Sequence, residues 1–401
     1  MVLSHRVPFP PNKGEKIRTF NQLEFLKARG FKITVFCLLH DKSDLALAVD
    51  YQEQSGFRVI TCEVGFAKPR MFAGLFGFRA LSVSNFYNSK LQQKLDHHLE
   101  NESVDALYCT SSSMAEYAFN RSNNDQLSLR TIIDFMDLDS DKWRQYVKVN
   151  KFPMTAIYRY ETRALLKYEK KIQREFDECI FISKNEVELF QSFLPTPATN
   201  LNVIGNGVDL SAFKPRPNLG FEKPLTLLFS GVMDYFPNEN AMIWFVKNVW
   251  SKLKIIHPDA RLVIAGMNPS PAILDMKADS SITVTGFVDD MLECYHQANL
   301  FIAPFQIARG VQNKILQSFA CGLPVVSTPV GAEGIDCIDG EHLMIASSAD
   351  EFIEKINSLI EDEQKYLEIC RNALALVNNN FTWDAVNHPL SRLLQPVEQS
   401  E

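Results

Sequence analysis

A basic segment in the second half of the chain has the residue types that bind a diphosphate. Arg309 and Gly310 follow a short apolar run, and a stretch with helical periodicity begins near Asn313. A glycine turn ahead of a helix presents free backbone N–H groups and the positive end of the helix dipole, both of which favour an anion. Arg309 and Lys314 would add charge-assisted hydrogen bonds. A surface amphipathic helix with incidental basic residues is the alternative interpretation.

The helix predicted after Gly310 has two different sides. Its apolar residues recur at helical spacing, which predicts that they pack against a sheet. The polar residues of the other side, predicted to face a ligand, are Asn313, Lys314, Gln317 and Ser318. The helix should end at Gly322, because glycine followed by proline commonly terminates helices.

A second group of candidate residues is acidic. Four aspartates crowd the end of a predicted strand in the first half, the last three of them at alternate positions: Asp134, Asp137, Asp139 and Asp141. Asp137 or Asp134 could orient or deprotonate a substrate hydroxyl. The spacing also fits the start of a calcium-binding loop, but the glycine and the terminal glutamate of that loop are missing, so we predict no metal site. A solvated loop that caps the next helix is the third interpretation.

The elements that would position these residues are short strands alternating with helices. This alternation predicts an α/β fold with parallel sheets, and runs such as 262–265 lack polar alternation, as expected for strands covered on both faces. A very short first strand is expected near the N-terminus. The other predicted strands occupy residues 31–38, 57–62, 104–110, 130–135, 178–183, 225–231, 261–266, 281–286, 299–305, 324–328 and 342–346.

Length and turn residues predict two domains. The chain has 401 residues, more than one hydrophobic core usually serves. Residues 195–224 contain five prolines and three glycines and show no helical period, so the boundary should fall there. Two Rossmann-like sheets facing each other would form a deep cleft for a ligand.

Composition excludes several classes of protein. The formal net charge of −7 argues against nucleic-acid binding, which needs a basic surface. The eight cysteines form no C-x-x-C pair, so zinc and redox motifs are not predicted, and reduced thiols are typical of a cytoplasmic protein. No apolar run approaches the roughly 20 residues of a membrane span, and residues 1–11 do not read as a signal peptide.

Four short motifs then occur in an informative order. They are Asn-Gly-Val-Asp at 206–209, Phe-Ser-Gly at 229–231, Thr-Gly-Phe-Val at 285–288 and Phe-Ala-Cys-Gly-Leu-Pro-Val-Val at 319–326. Together they resemble the family-4 retaining glycosyltransferases of GT-B fold. Longer segments at 5–18, 134–143, 233–238 and 309–314 resemble the subgroup of sugar transferases associated with exopolysaccharide biosynthesis and PEP-CTERM systems. The resemblance covers nearly the whole chain.

This resemblance implies a fold, a reaction and partners. The fold would be GT-B, with an acceptor-side domain at 1–200, a donor domain at 201–380 and a C-terminal helix at 381–401 that returns to the first domain. The enzyme would be hexosyltransferase-like, moving a sugar with retention from a UDP- or GDP-linked donor to a polysaccharide or lipid-linked glycan acceptor. No metal or other cofactor would be required, since cations and backbone amides fill that role.

The resemblance also implies the site residues. Asn12 and Gly14 match the loop that approaches the donor phosphates, and Phe287 and Val288 match the loop that reads the nucleobase. The full set of donor-binding positions is Asn12, Gly14, Gly231, Phe287, Val288, Gly310, Val311, Gln312, Asn313 and Gln317. The catalytic candidates are Asp134, Asp137, Arg309 and Lys314.

The chain departs from the family pattern at several of these positions. Most members have glutamates where this chain has Arg309 and Gln317, and an arginine and a lysine where it has Met233 and Asn238. Our hypothesis is that Arg309 and Lys314 compensate the charge of the leaving diphosphate. A nucleotide-sugar epimerase of the same fold and a catalytically inactive sugar-nucleotide-binding homologue are the alternatives.

Two basic and aromatic stretches indicate where the acceptor would bind. Residues 66–87 and 158–174 interleave lysine and arginine with aromatic residues. Such a surface suits an anionic membrane or a lipid-pyrophosphate acceptor, which predicts peripheral contact with the inner face of the plasma membrane. An ordinary core face backed by a solvated charged face is the alternative.

Overall fold

The computed structural model describes residues 1–65, 79–121, 129–149, 151–308 and 310–395. Arg309 and residues 66–78 of the basic stretch 66–87 therefore lie outside the described residues. The chain divides into two compact units, and the C-terminal segment groups with the first. Met1–Gly205 and Asn387–Glu401 form the first unit, and Asn206–Val386 forms the second.

The first unit contains a seven-stranded parallel sheet in the order β3-β2-β1-β4-β5-β6-β7. The short strand β1 is central, because Val2 pairs with Val35 on one side and with Tyr108 on the other. The strands are β1 (Val2–Ser4), β2 (Thr34–Leu39), β3 (Arg58–Glu63), β4 (Ala106–Thr110), β5 (Arg130–Met136), β6 (Glu178–Phe181) and β7 (Leu201–Val203). The prediction of a parallel sheet with a very short first strand is confirmed.

Helices flank this sheet, and apolar residues cover both of its faces. Neighbouring residues of a strand point to opposite faces. Val2 and Val35 accordingly belong to one buried cluster, and Leu3 and Phe36 belong to another. The helices are α1 (Gly14–Ala28), α2 (Ser43–Ser55), α3 (Leu81–Phe86), α4 (Ser89–Asn101), α5 (Ala115–Phe119), α6 (Asp139–Val149), α7 (Met154–Glu175) and α8 (Lys184–Phe193), with a 3-10 turn at Ser112–Met114.

The second unit contains a six-stranded parallel sheet in the order β10-β9-β8-β11-β12-β13. Its strands are β8 (Thr226–Ser230), β9 (Arg261–Ala265), β10 (Ile282–Gly286), β11 (Leu300–Ala303), β12 (Val325–Ser327) and β13 (Met344–Ile345). Each lies within the range predicted from its apolar run. One continuous apolar cluster fills the unit, as the lack of polar alternation in these strands predicts.

The helices of the second unit surround its sheet, and the last one continues into the C-terminal segment. They are α9 (Phe236–Phe245), α10 (Ser251–Ile256), α11 (Pro271–Leu274), α12 (Met291–Gln297), α13 (Asn313–Ala320), α14 (Ala349–Glu361), α15 (Glu363–Asn380) and α16 (Trp383–Leu393), with a π-helical turn at Val246–Trp250 and a 3-10 turn at Asp275–Ala278. Leu390 and Leu394, in the C-terminal segment, are buried in the core of the first unit. Within the described residues no helix has the length and apolar character needed to cross a bilayer.

Candidate active site

The carboxyl ends of β8 and β9 meet at two glycines in the second unit. A Cβ atom on Gly266 would lie 1.7 Å from the carbonyl oxygen of Gly231, and one on Gly231 would lie 2.9 Å from Nζ of Lys314. The contact at Gly266 is with backbone, so that position requires glycine. Gly231 has a φ of +155°, a conformation that other residues rarely adopt. The strand ends are therefore packed tightly against each other, and the ammonium group of Lys314 lies directly beside them.

Lys314 is a cation that has no anionic partner among the described residues. It stands in the first turn of α13 and its Nζ donates to Oδ1 of Asn238 at 2.7 Å. The same nitrogen lies 4.8 Å and 4.9 Å from the ring centres of Phe229 and Phe305. No carboxylate among the described residues forms an ion pair with it. Burial lowers the pKa of Lys314 from its usual value to about 7.

An ammonium group in these surroundings favours the binding of an anionic ligand. Removing a charge from water without a counter-charge is costly, and the lowered pKa of Lys314 reflects that cost. A bound diphosphate would supply the missing negative charge. The half-buried position of the side chain leaves part of its surface exposed.

Asn238 and Met233, the two positions where the resemblance leads one to expect cations, have separate roles. Met233 is fully buried in the apolar core. Asn238 is also buried, and its Nδ2 donates to the carbonyl oxygen of Val232 at 2.9 Å while its Oδ1 accepts from Lys314. Asn238 therefore fixes the position of the Lys314 ammonium group. The sequence analysis missed this role, because 76 residues separate the two partners.

The N-terminus of α13 is the next part of this site. Gln312 occupies the N-cap position, but its side chain does not cap the helix. Gly310 has a φ of +62°, a conformation that favours glycine, and Val311 is buried in the core. The side chain of Asn313 accepts a hydrogen bond from Asn206 at 3.0 Å. The Asn-Gly turn at 206–207 therefore lies against the start of this helix.

Gln317 lies one turn after Lys314 and is tied to the core of the unit. Its Oε1 accepts from the hydroxyl of Tyr295 at 3.0 Å, and the same hydroxyl lies 2.9 Å from Oγ of Ser230. Ser230 and Tyr295 are both buried. The position and bonding of the amide are therefore set by strand β8 and helix α12.

Phe287 and Val288 follow the end of the neighbouring strand β10. The backbone N–H of Gly266 donates to the carbonyl oxygen of Gly286 at 3.1 Å, which joins this strand end to the glycine pair. Phe287 is 67% exposed, whereas Val288 packs partly against the core. The structure thus brings the predicted positions 231, 287, 288, 310–314 and 317 to one edge of the second sheet.

Asn12 and Gly14 lie in the first unit, at the start of helix α1. Gly14 is the first residue of α1, and the preceding Lys13 does not cap the helix with its side chain. The backbone N–H of Asn12 donates to Pro10 at 2.9 Å. Lys16 is buried, and that burial lowers the pKa of its side chain. The loop therefore places a helix N-terminus beside basic side chains, as an anion site requires.

Asp134, one of the catalytic candidates, proves to be fully buried. Its Oδ2 accepts from Nε of Arg18 at 2.8 Å, from Gln22 at 2.8 Å and from Tyr108 at 3.0 Å. Its Oδ1 accepts from the backbone N–H of Met136 at 2.9 Å. A carboxylate with no exposed surface and four donors cannot reach a substrate hydroxyl. We therefore correct its assignment from catalysis to stabilisation of the fold.

The other three aspartates differ in their surroundings. Asp137 is exposed, whereas Asp141 is buried and bonded to Gln145 and Arg144 within helix α6. Asp139 is half-buried and accepts from Ser112 at 3.0 Å. Burial, reinforced by the charges of Asp137 and a nearby glutamate, raises the pKa of Asp139 to about 6. The described residues contain no group of three or more side chains arranged to hold a metal ion.

Asp139 was named among the four aspartates of the sequence, but no chemical role was predicted for it. A carboxyl group with a pKa near 6 can both give and take a proton at physiological pH. The spacing of residues in the sequence does not indicate this shift, because the raised pKa of Asp139 depends on its burial behind the 3-10 turn at Ser112.

Comparison with known proteins identifies relatives of both parts of the chain. Residues 224–362 match the family model described as Glycosyl transferases group 1. The chain is similar to an uncharacterized 44.6 kDa protein in the cps region of Klebsiella pneumoniae, with 25% identity over 95% of this chain and 96% of that protein. It is also similar to the lipopolysaccharide 1,2-N-acetylglucosaminetransferase of Salmonella typhimurium, with 23% identity over 47% of this chain and 55% of that protein.

A solved structure shows the same fold. HepE of Anabaena, solved in complex with UDP and glucose, superposes with a TM-score of 0.67 at 16% identity, covering 98% of each chain. The matched residues 224–362 lie wholly within the second unit and contain Lys314, Gly231 and Gln317.

Proposed function

We propose that this chain, a glycosyltransferase of GT-B fold, moves a sugar with retention from a nucleoside-diphosphate donor to a polysaccharide or lipid-linked glycan acceptor. The observation that carries the proposal is the half-buried Lys314 ammonium group, which lies beside Gly231 with no counter-charge among the described residues. The donor diphosphate would neutralise it. The matched family model covers the same residues.

The chemistry follows from where negative charge develops. The acceptor oxygen forms the new bond to the anomeric carbon of the sugar, and the bond from that carbon to the diphosphate breaks. The electron pair of that bond leaves with the diphosphate, where Lys314 and the N–H groups of α13 stabilise it. We propose that these groups, with Arg309, make a metal or other cofactor unnecessary.

Donor and acceptor classes are proposed from the relatives. HepE binds UDP and glucose, which supports a UDP-linked sugar. The Salmonella relative acts on lipopolysaccharide, which supports a glycan acceptor. Asp137 is exposed at the carboxyl end of β5, and we propose that it orients the acceptor hydroxyl and takes its proton.

The reaction is tested with labelled UDP- and GDP-sugars incubated with and without a lipid-linked glycan acceptor. The proposal predicts labelled acceptor with the anomeric configuration of the donor. Isomerised donor without transfer would instead identify an epimerase. Nucleotide binding without turnover on every donor would identify an inactive homologue.

The affinity for UDP should fall as pH rises above 7. In the free protein the pKa of Lys314 is lowered to about 7, and the diphosphate favours the charged form, so the pKa rises in the complex. Binding above pH 7 therefore takes up a proton, and Kd should increase by up to about tenfold per pH unit. Calorimetric titration between pH 7 and pH 9 measures this slope.

The variant Lys314→Met is the control for this dependence, because it has no group to protonate at that position. It should bind UDP weakly and with little change over the same range. A wild-type Kd that stays constant between pH 7 and pH 9 would contradict the role of Lys314.

We propose that the turn between α6 and α7 contacts the membrane that carries a lipid-linked acceptor. Phe152 is 86% exposed, and Met154 and Ile157 are also exposed. The exposed cations next to them are Lys151, Arg159, Arg163 and Lys167. Glu161, the one acidic residue between 151 and 167, is buried and bonded to backbone N–H groups of α3. An apolar tip flanked by cations fits an anionic lipid surface.

Replacing Phe152 and Ile157 with serine should weaken binding to vesicles that contain phosphatidylglycerol by at least about tenfold, because burying one such apolar side chain contributes roughly 1.5–3 kcal/mol and about 1.4 kcal/mol corresponds to a factor of ten. Co-sedimentation measures this binding, and UDP binding should be unchanged. Replacement of the exposed Leu45 by serine is the matched control in the same unit. Equal sedimentation of the double variant and wild type would contradict the membrane contact.

A further inference from the structure

We infer that the amide N–H of Gln317 donates a hydrogen bond to an oxygen of the bound sugar nucleotide, because its amide oxygen already accepts one from Tyr295. The inference rests on the proposed function and deepens it, since it assigns a polarity to one contact of the donor site. In the family that this chain resembles, the position carries a glutamate, which can only accept when charged. The direction of the hydrogen bond is therefore reversed here.

The bonding of Tyr295 fixes this direction. A tyrosine hydroxyl has one hydrogen to donate and can also accept. Ser230 Oγ lies 2.9 Å from it and Gln317 Oε1 lies 3.0 Å from it, whereas the carbonyl oxygen of Lys314 is more distant at 3.4 Å. The serine hydroxyl thus donates to the tyrosine, and the tyrosine donates to Gln317.

The tyrosine side chain is held rigidly as a donor. Its ring lies edge-on to Phe213 at 5.7 Å and stacks with Phe301 at 5.8 Å between centroids. Burial raises the pKa of Tyr295, so the hydroxyl keeps its proton. The amide oxygen of Gln317 therefore has a permanent partner in the core.

The amide nitrogen of Gln317 remains for a ligand. Within the described part of the chain Nε2 forms no hydrogen bond, and the residue is half-buried. Residues three apart on a helix lie on the same face, so this nitrogen stands on the face that carries Lys314. Two donors on one face of α13, one of them charged, converge on the oxygens of a nucleotide.

An uncharged residue at this position also keeps Lys314 without a counter-charge. A glutamate at 317 would place a carboxylate one turn from the ammonium group, at a spacing that favours an ion pair. That carboxylate would compete with the diphosphate for Lys314, and its negative charge would repel the diphosphate. The glutamine avoids both effects.

Gln317→Glu separates the two directions of the hydrogen bond by sign. If Gln317 donates, the variant should bind UDP at least tenfold more weakly than wild type in calorimetry near pH 7. If the residue instead accepts from ribose hydroxyls, the charged acceptor should bind uridine, which has no diphosphate to be repelled, equally well or more tightly. The matched control is Gln364→Glu, which adds the same charge at an exposed position in the first turn of α15.

Uridine and Tyr295→Phe complete the test. Weaker binding of uridine to Gln317→Glu would place the donated hydrogen bond on the ribose. Weaker binding of UDP alone, reproduced by the uncharged Gln317→Met, would place it on the diphosphate, whose oxygens only accept. Weaker binding of UDP to Gln317→Glu alone, with Gln317→Met unchanged, would be charge repulsion and would contradict the inference. Tyr295 is a positioning residue, so Tyr295→Phe should raise the donor KM several-fold and leave kcat nearly unchanged. Equal KM in that variant would contradict the relay.

The outcomes also separate this inference from the proposed function. Wild-type protein that binds neither UDP nor GDP would contradict both. Wild-type binding that Gln317→Glu leaves unchanged or strengthens would contradict the polarity of Gln317 alone.

Discussion

Replacing Lys314 with methionine is expected to lower sugar transfer by about 100-fold or more while leaving the protein folded. The side chain is an ammonium group without an anionic partner among the described residues, positioned by Asn238 at the end of strand β8. Removing one preorganised donor from a developing negative charge typically costs about 10²–10³ in rate. Initial-rate measurements with a UDP-sugar give kcat and KM for the variant.

Stability distinguishes this effect from a general loss of structure. An ammonium group removed from water without a counter-charge opposes folding. The pKa of Lys314 is lower in the folded protein than in the unfolded one, so the free energy of unfolding rises with pH between about 7 and the usual pKa of a lysine. Lys314→Met should therefore unfold at the same temperature as wild type or higher. Stability that is kept or gained when activity is lost is typical of a functional residue.

The exposed Lys277→Met is the matched control, since it removes the same group from the same unit. It should change neither the rate nor the unfolding temperature. Turnover of Lys314→Met within a few-fold of wild type would exclude Lys314 from contact with the leaving group.

Replacing Asp134 with alanine is expected to destabilise the protein by about 3–5 kcal/mol, the usual effect of breaking a buried ion pair. Arg18 is 1% exposed, and it would keep its charge without the carboxylate that neutralises it. The loss should spread through the unit, because Arg18 also donates to the carbonyl oxygens of Ile204 and Gly205. Urea unfolding followed by circular dichroism measures the change.

Two further variants test the cause of this loss. Glu102→Ala breaks the exposed pair with Arg58, whose side chains are 48% and 60% exposed, and should change stability by less than about 1 kcal/mol. Arg18→Met combined with Asp134→Leu removes both buried charges and should be more stable than Asp134→Ala. Equal effects of Asp134→Ala and Glu102→Ala would show that the buried pair does not stabilise the fold.

The strands could be predicted from the sequence because parallel strands covered on both faces are continuous apolar runs. Residues 262–265 are one such run, and they form most of strand β9. The catalytic role suggested for Asp134 shows what such patterns omit. Its burial depends on Arg18, 116 residues away, and local spacing carries no record of that pairing.

The site was predicted only in part, because a sequence pattern shows features that are adjacent in the chain and not contacts between distant residues. A glycine turn before a helix identified Lys314, since both features are adjacent in sequence. Asn238, which fixes its ammonium group, comes from the first turn of a different helix, α9, and could not be recognised. The hydrogen bond between Tyr295 and Gln317 likewise joins two helices that are distant in sequence. The raised pKa of Asp139 depends mainly on burial, which local spacing does not reveal.

The central claim is that Lys314 binds the diphosphate of a sugar nucleotide. A crystal structure of the protein soaked with UDP tests it most directly, through the distance from Lys314 Nζ to the nearest phosphate oxygen. The claim predicts a charge-assisted hydrogen bond of about 2.7–2.9 Å. A diphosphate bound elsewhere, with Lys314 bonded to Asn238 alone, would contradict it.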